Sequence, residues 1–298
     1  MGIDAIEVAA INQDNDYFIR FPFEDVETHN ETIYDKVKTT FAKRINQVRV
    51  QCERVSRVIS KTLGYNHFPV VLSGDHSSAL GTISGIKAHF KEERLGIVWI
   101  DAHADMHSPY TSPSGNVHGM PLAAALGADN KKNQINEVAD VTVEEWERMK
   151  NIGIPGAKFL PEDLVYFGVR DTEPPEDEIR KEYGLRKYMV HEVRYRGLDN
   201  VMDEVVEKLS ACDVIYISFD VDSLDCDLVS HGTGTPVSKG FDPEEATRII
   251  NRVLDTGKVV CFEVTDVNPL LDDRGIKMAE TAFGVLNEVT KVITGESK

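Results

Sequence analysis

Paired cysteines, long apolar runs and an excess of basic residues are all missing from this chain of 298 residues. The four cysteines, Cys52, Cys212, Cys226 and Cys261, form no C-x-x-C pair and two of them lie in apolar, strand-like runs, so they read as reduced thiols. No apolar stretch approaches the roughly 20 residues that span a bilayer, and the N-terminus lacks a basic-then-apolar signal. The expectation is a cytoplasmic protein with no membrane partner. Lys and Arg number 33 against 50 Asp and Glu, giving a formal charge of −17 that repels nucleic acid phosphate and anionic lipid and favours small cationic molecules. Internal repeats, low-complexity tracts and linker-like breaks in composition are absent too, which argues for one domain over residues 1–298.

What is present suits a buried core: 41% of the residues are apolar and 28% are charged. Short apolar runs, β-branched or aromatic, occur at 68–72, 95–100, 164–169, 187–190, 214–219 and 259–264. Between them, 77–91, 200–211, 242–255 and 274–294 repeat apolar residues at helical spacing. The alternation predicts an α/β fold of three layers (αβα), with a mostly parallel sheet covered on both faces. Residues 28–63 also read as an amphipathic helix, with Ile33, Val37, Phe41, Ile45, Val48 and Val55 on one face. The stretches 108–117 and 171–177, rich in Pro, Ser, Asn and acids, read as loops after strands.

Three predicted strands run into clusters of metal-type ligands: Asp75-His76, Asp101-Ala102-His103-Ala104-Asp105 and Asp220-Val221-Asp222. Parallel sheets place ligands at the carboxyl ends of their strands, and in an extended chain alternate residues point to the same side. Carboxylates crowded there repel one another unless cations neutralise them, so the pattern points to divalent metal. His29, His67, His89, His191 and His231 lie outside the clusters and read as ordinary histidines.

Gly-Asp-His-Ser at 74–77, Asp-Ala-His-Ala-Asp at 101–105 and Ser-Phe-Asp-Val-Asp at 218–222 resemble the three signatures of arginases and agmatinases. Ser-Gly-Asn-Val-His-Gly at 114–119, Gly-Val-Arg-Asp at 168–171, Gly-Thr-Pro at 234–236 and Val-Asn-Pro at 267–269 follow in the family's order, so the resemblance covers nearly the whole chain. It implies one metal held by His76, Asp101, Asp105 and Asp220, and another by Asp101, His103, Asp220 and Asp222, with Asp101 and Asp220 bridging. An oxygen-rich set of this kind suits Mn²⁺, two ions per chain. Two ions sharing a water would make it nucleophilic near neutral pH, ready to attack a guanidino carbon. The resemblance gives His118 the role of proton shuttle, makes Asp105 a proton relay and directs Asp266 toward the guanidinium.

The arginase resemblance also assigns the amino acid end of the substrate to two loops. Ser112, Ser114, Asn116 and His107 would meet its carboxylate, and Glu173 and Glu176 its α-ammonium group. The implied reaction is hydrolysis of L-arginine to L-ornithine and urea. Formimidoylglutamase and agmatinase are the neighbouring activities, and a metal-binding regulatory paralogue without turnover is the alternative from another class. Three positions depart from the arginase pattern: His107 replaces the usual asparagine, Glu173 an aspartate and Asp266 a glutamate. Cys226 stands where proline is common and receives no role. Gly2-Ile3-Asp4-Ala5 resembles a loop that in the family follows a first strand, absent here. The family further implies a homo-oligomer, trimer or hexamer.

Overall fold

The computed structural model describes residues 1–28 and 34–296. Its centre is a six-stranded sheet whose five pairings are all parallel. The strands are β1 (Val70–Leu72), β2 (Leu95–Ile100), β3 (Leu164–Phe167), β4 (Arg186–Tyr188), β5 (Val214–Asp220) and β6 (Val259–Thr265), in the spatial order β1-β6-β5-β2-β3-β4. From β2 the chain winds one way through β3 and β4, then returns to the other side of β2 for β5 and β6. The reversal leaves a crevice between the ends of β2 and β5, where sheets of this kind bind ligands.

The helices are α1 (Gly2–Asn12), α2 (Tyr17–Arg20), α3 (Ile45–Gly64), α4 (Ala79–His89), α5 (Pro121–Leu126), α6 (Asp140–Lys150), α7 (Pro174–Glu182), α8 (Val190–Arg196), α9 (Leu198–Leu209), α10 (Pro243–Leu254) and α11 (Lys277–Thr294). Strand alternation divides the core into two layers. Val98 and Ile100 of β2 face α1 and α9 to α11, whereas Ile97 and Trp99 face α3 to α6. Helix α4 packs closely on α3 because Gly81 and Gly85 lack side chains. A Cβ on either would lie 2.6 Å from a carbonyl oxygen of Cys52 or Ser56. Among the described residues no helix is long and apolar enough to cross a membrane.

Four expectations need correction. Helix α3 begins at Ile45, and residues 34–44 are turns and irregular chain, while Ile33 and His29 lie outside the described residues. The helical period there is overridden by tertiary bonding: the Lys43 N–H donates to the Gly115 carbonyl at 2.7 Å, and Arg44 takes a left-handed φ of 58°. The stretch 171–177 does not stay a loop, because Pro174 opens α7 and Glu176 accepts the Glu173 N–H at 3.2 Å. Proline is favoured in a first helical turn, and acid at N3 completes the cap. Residues 2–5 belong to α1, which packs on α11, and are not a loop. Helices α5 and α6 were not anticipated, although Trp146 and Met149 of α6 are fully buried.

Candidate metal centre

The crevice between β2 and β5 gathers the ligand clusters. Register pairs Ile100 with Phe219, so Asp101 and Asp220 leave adjacent strand ends side by side. His76 arrives on the short turn His76–Ser78 after β1, and Asp222 on the turn Val221–Ser223 after β5. Extended alternation is not what aims Asp101, His103 and Asp105. The chain bends after β2, and Asp105 has a φ of 49°. The bend sends Asp105 toward His76 and His103 toward Asp222.

His76 Nδ1 lies 2.9 Å from Asp101 Oδ2, 3.1 Å from Asp105 Oδ2 and 3.1 Å from Asp220 Oδ2. His103 Nδ1 lies 2.9 Å from Asp222 Oδ2 and 3.4 Å from Asp101 Oδ1. Asp101 therefore turns one oxygen to each histidine. Asp266 joins from the end of β6, where it and the carboxylates of Asp220 and Asp222 come within 4.8 Å of one another. Its backbone φ is 67°. Asp75 departs from the set: it is exposed, and its carboxylate caps the His76 turn by accepting the Ser77 N–H at 2.8 Å.

Neighbouring side chains fix the ligands. The His76 ring stacks on Trp99 at 4.0 Å between centroids, and its Nε2 is 2.8 Å from Ser218 Oγ. With Nε2 protonated and donating to that hydroxyl, Nδ1 keeps its lone pair toward the carboxylates. Trp99 donates from Nε1 to Asp101 Oδ2 at 3.0 Å, the Ala102 N–H donates to Asp222 Oδ1 at 3.0 Å, and Thr235 Oγ1 donates to Asp222 Oδ2 at 3.1 Å. Trp99 and Ser218 were missed in the sequence. Strand alternation was the available signal, since each stands two residues before a ligand on the same strand face.

These residues fit divalent cations. His76 Nδ1 is a buried polar atom with no hydrogen-bond partner, although three carboxylate oxygens surround it. A buried ring nitrogen facing three carboxylate oxygens is the arrangement that a cation position requires. Charge points the same way. Burial, reinforced by neighbouring carboxylates, pushes Asp105, Asp220 and Asp222 above the usual carboxylate range. Burial opposes the charge of Asp101 as well, but the two histidines that face it lower its pKa. Burial opposes charge on both histidines too, yet the facing aspartates raise them. Burial, with Asp75 adding repulsion, lifts Asp266 to about 7.

The rim is built differently. His118 is partly exposed on the turn Val117–Gly119, which packs against the His76 turn. His107 is 6% exposed, with Nε2 3.0 Å from Glu173 Oε2 and 3.4 Å from Glu176 Oε2, and Nδ1 3.1 Å from Thr111 Oγ1. Burial opposes its charge, but the hydrogen bond it donates to Glu173 and the nearby Glu176 carboxylate raise its pKa. The same hydrogen bond draws Glu173 down to about 2, whereas burial pushes Glu176 up to about 7. Glu176 is 3% exposed and also accepts the Met106 N–H at 3.1 Å. Ser112 Oγ is turned inward to accept the Gly115 N–H at 2.9 Å, and Ser114 Oγ accepts the Asn116 N–H at 3.1 Å. Lys43, absent from the sequence reading, donates to Asn116 Oδ1 at 3.1 Å. Nothing local marked it, because its segment carries a helical pattern.

The arginase family model matches residues 1–291. The arginase of Bacillus subtilis (strain 168) is 35% identical over 247 residues, 83% of this chain and 77% of that protein. A crystal structure of B. subtilis arginase superimposes with a TM-score of 0.79 at 31% identity, covering 97% of this chain and 91% of that one. Entamoeba histolytica arginase in complex with L-ornithine gives 0.74 at 28% identity, over 86% and 80%. With the fold, the ligand cluster and these likenesses in agreement, the chain belongs to the arginase family, hydrolases that act on amidino and guanidino groups.

Proposed function

We propose that this protein hydrolyses L-arginine to L-ornithine and urea with two Mn²⁺ ions. The observation that carries the reading is the shared Asp101 carboxylate, one oxygen toward His76 and the other toward His103. His76, Asp101, Asp105 and Asp220 would hold one ion, and Asp101, His103, Asp220 and Asp222 the other. Bound there, the pair supplies Lewis acidity that makes water nucleophilic near neutral pH. An oxygen-rich donor set with two imidazoles favours manganese over thiolate-seeking metals.

The chain's own residues supply the rest. Asp266 accepts hydrogen bonds from the guanidinium and holds its carbon over the crevice. Asp105 takes up the proton released by the attacking water, and His118, on its partly exposed turn, passes protons between the site and solvent so that the departing amine leaves protonated. Ser114 and the Asn116 amide face the substrate carboxylate, with Lys43 adding positive charge beside them. Ser112 shapes that loop from within. Glu173 receives the α-ammonium group, while His107 and Glu176 position it. In the same reading residues 1–298 form one catalytic unit that works in the cytoplasm as a homo-oligomer, trimer or hexamer, which sedimentation would size.

Product release with Mn²⁺, followed as urea from arginine or agmatine and as formamide from formiminoglutamate, tests the assignment. Arginine is expected to be preferred. Preference for either other compound overturns the substrate, and metal-loaded protein inert on all three overturns the enzyme reading.

A further inference from the structure

The connection from β5 to α10 carries a second group of ligating side chains, outside the carboxylate cluster. Cys226, Asp227 and His231 each offer one atom, a sulfur, a carboxylate oxygen and a ring nitrogen, and these three atoms lie within 4.8 Å of one another. The segment before α11 holds their backbone in place. The Arg274 guanidinium donates to the carbonyls of Asp227 at 3.0 Å, Leu228 at 3.0 Å and Val229 at 3.1 Å. Asp225 Oδ1 accepts the Asp227 N–H at 3.1 Å. Asp273 accepts the His231 backbone N–H at 3.0 Å on one oxygen, and its other oxygen is 3.1 Å from Nδ1. A carboxylate on Nδ1–H fixes both tautomer and ring orientation and leaves the lone pair on the other nitrogen, an arrangement common behind metal-bound histidines.

The remaining two groups are available. Cys226 is buried, and its hydrogen-bonding neighbour is Ser238 Oγ at 3.7 Å, a weak contact for a thiol. Asp227 is exposed and forms no ion pair among the described residues. A lone surface acid would mean nothing, but a thiol, an imidazole oriented by its own carboxylate and a free carboxylate together form a mixed set of donors.

We propose that Cys226, Asp227 and His231 form a third cation site, for a borderline-soft divalent ion of the zinc class, with water completing a tetrahedral shell. Thiolate and imidazole favour such an ion over the hard cation suited to the oxygen-rich centre. Binding forms a sulfur–metal bond and releases the Cys226 thiol proton to solvent. The same connection carries Thr235, whose hydroxyl meets Asp222, so a bound ion would clamp the chain that supports that ligand.

Cobalt(II) reads the site without relying on turnover. Manganese-loaded protein titrated with Co²⁺ should develop a near-ultraviolet thiolate-to-cobalt band that saturates at one further ion per chain. The carboxylate centre contains no sulfur, so the band is independent of how that centre is interpreted. Cys226→Ser should abolish the band, and His231→Ala should weaken cobalt binding by about tenfold or more. Absence of a band in the parent protein, or its persistence in Cys226→Ser, overturns the proposal. Because Cys226 is buried, His231→Ala decides the matter if the serine variant fails to fold: unchanged cobalt affinity there also overturns it.

Discussion

The ligand cluster and the rim around it lie a few residues apart in sequence, yet they are held by different physics. The cluster hangs on strand ends in the middle of a parallel sheet, and its supports, Trp99, Ser218 and the Ala102 N–H, belong to the same strands or lie within two residues of their ends. The rim depends on loops meeting loops: Lys43 on Asn116, the Lys43 N–H on Gly115, and His107 on Glu173 across two connections. The geometry of the cluster therefore follows from strand register and from the short turns and bends that leave the strands. That of the rim follows from tertiary docking, which neighbouring loops can change without disturbing the sheet.

Substitutions should separate the two regions. The largest effect is expected from Asp220→Ala, which removes a carboxylate proposed to bridge the two ions. Bound manganese should fall by at least one ion per chain and kcat by about 10³-fold or more, a loss of several kcal/mol of electrostatic stabilisation. Metal analysis beside urea release checks it, and both ions retained at unchanged affinity would refute the ligand assignment.

Next comes His118→Ala, with kcat lowered about 10²-fold, the scale of lost proton-transfer help, at unaltered metal content. An unaffected kcat would remove the shuttle role. Asp266→Asn keeps the shape and discards the charge, and kcat/KM for arginine should drop by about 2 kcal/mol, as for a lost charge-assisted hydrogen bond. Steady-state kinetics that match the parent would show that Asp266 does not orient the guanidinium.

The smallest catalytic effect, and the one most confined to the rim, is expected from Gly115→Ala. Its φ of 71° disfavours a side chain, and the new Cβ would lie 2.1 Å from the Thr40 carbonyl oxygen. Relief of that clash should raise KM several-fold and cost about 2 kcal/mol of stability while leaving manganese binding intact. Thermal unfolding and metal analysis on one sample decide it. Lost metal would mean that the two regions are not independent.

The same contrast explains what could be read from the sequence. Strand β2, with six successive buried residues, and the ligands at its end were legible because a buried parallel strand is a short apolar run and ligand chemistry is local. The neighbouring fold of residues 34–44 was not, since Val37 and Phe41 keep a helical period while the backbone bonds to a loop some seventy positions away. Glu176 shows the limit within a motif. Sequence marks it as an acid facing substrate, but its burial, its cap to α7 and its bond to Met106 depend on which helix the prolines start. Asp75 is the reverse case, an acid beside His76 that lies outside the cluster and caps the turn.

The left-handed backbone at Asp105 and Asp266 narrows which residues a lineage can exchange there. Aspartate and asparagine tolerate that conformation better than longer side chains do. At position 266 the arginase pattern has glutamate, so each residue satisfies one demand at the other's expense. Glutamate would reach further toward a substrate but sit poorly on this backbone, whereas aspartate sits well and reaches less far. The chain accepts long side chains on such a backbone at Arg44 and Lys239, so passage between the two residues trades reach against conformational strain, a strain that reshaping the turn after β6 would relieve.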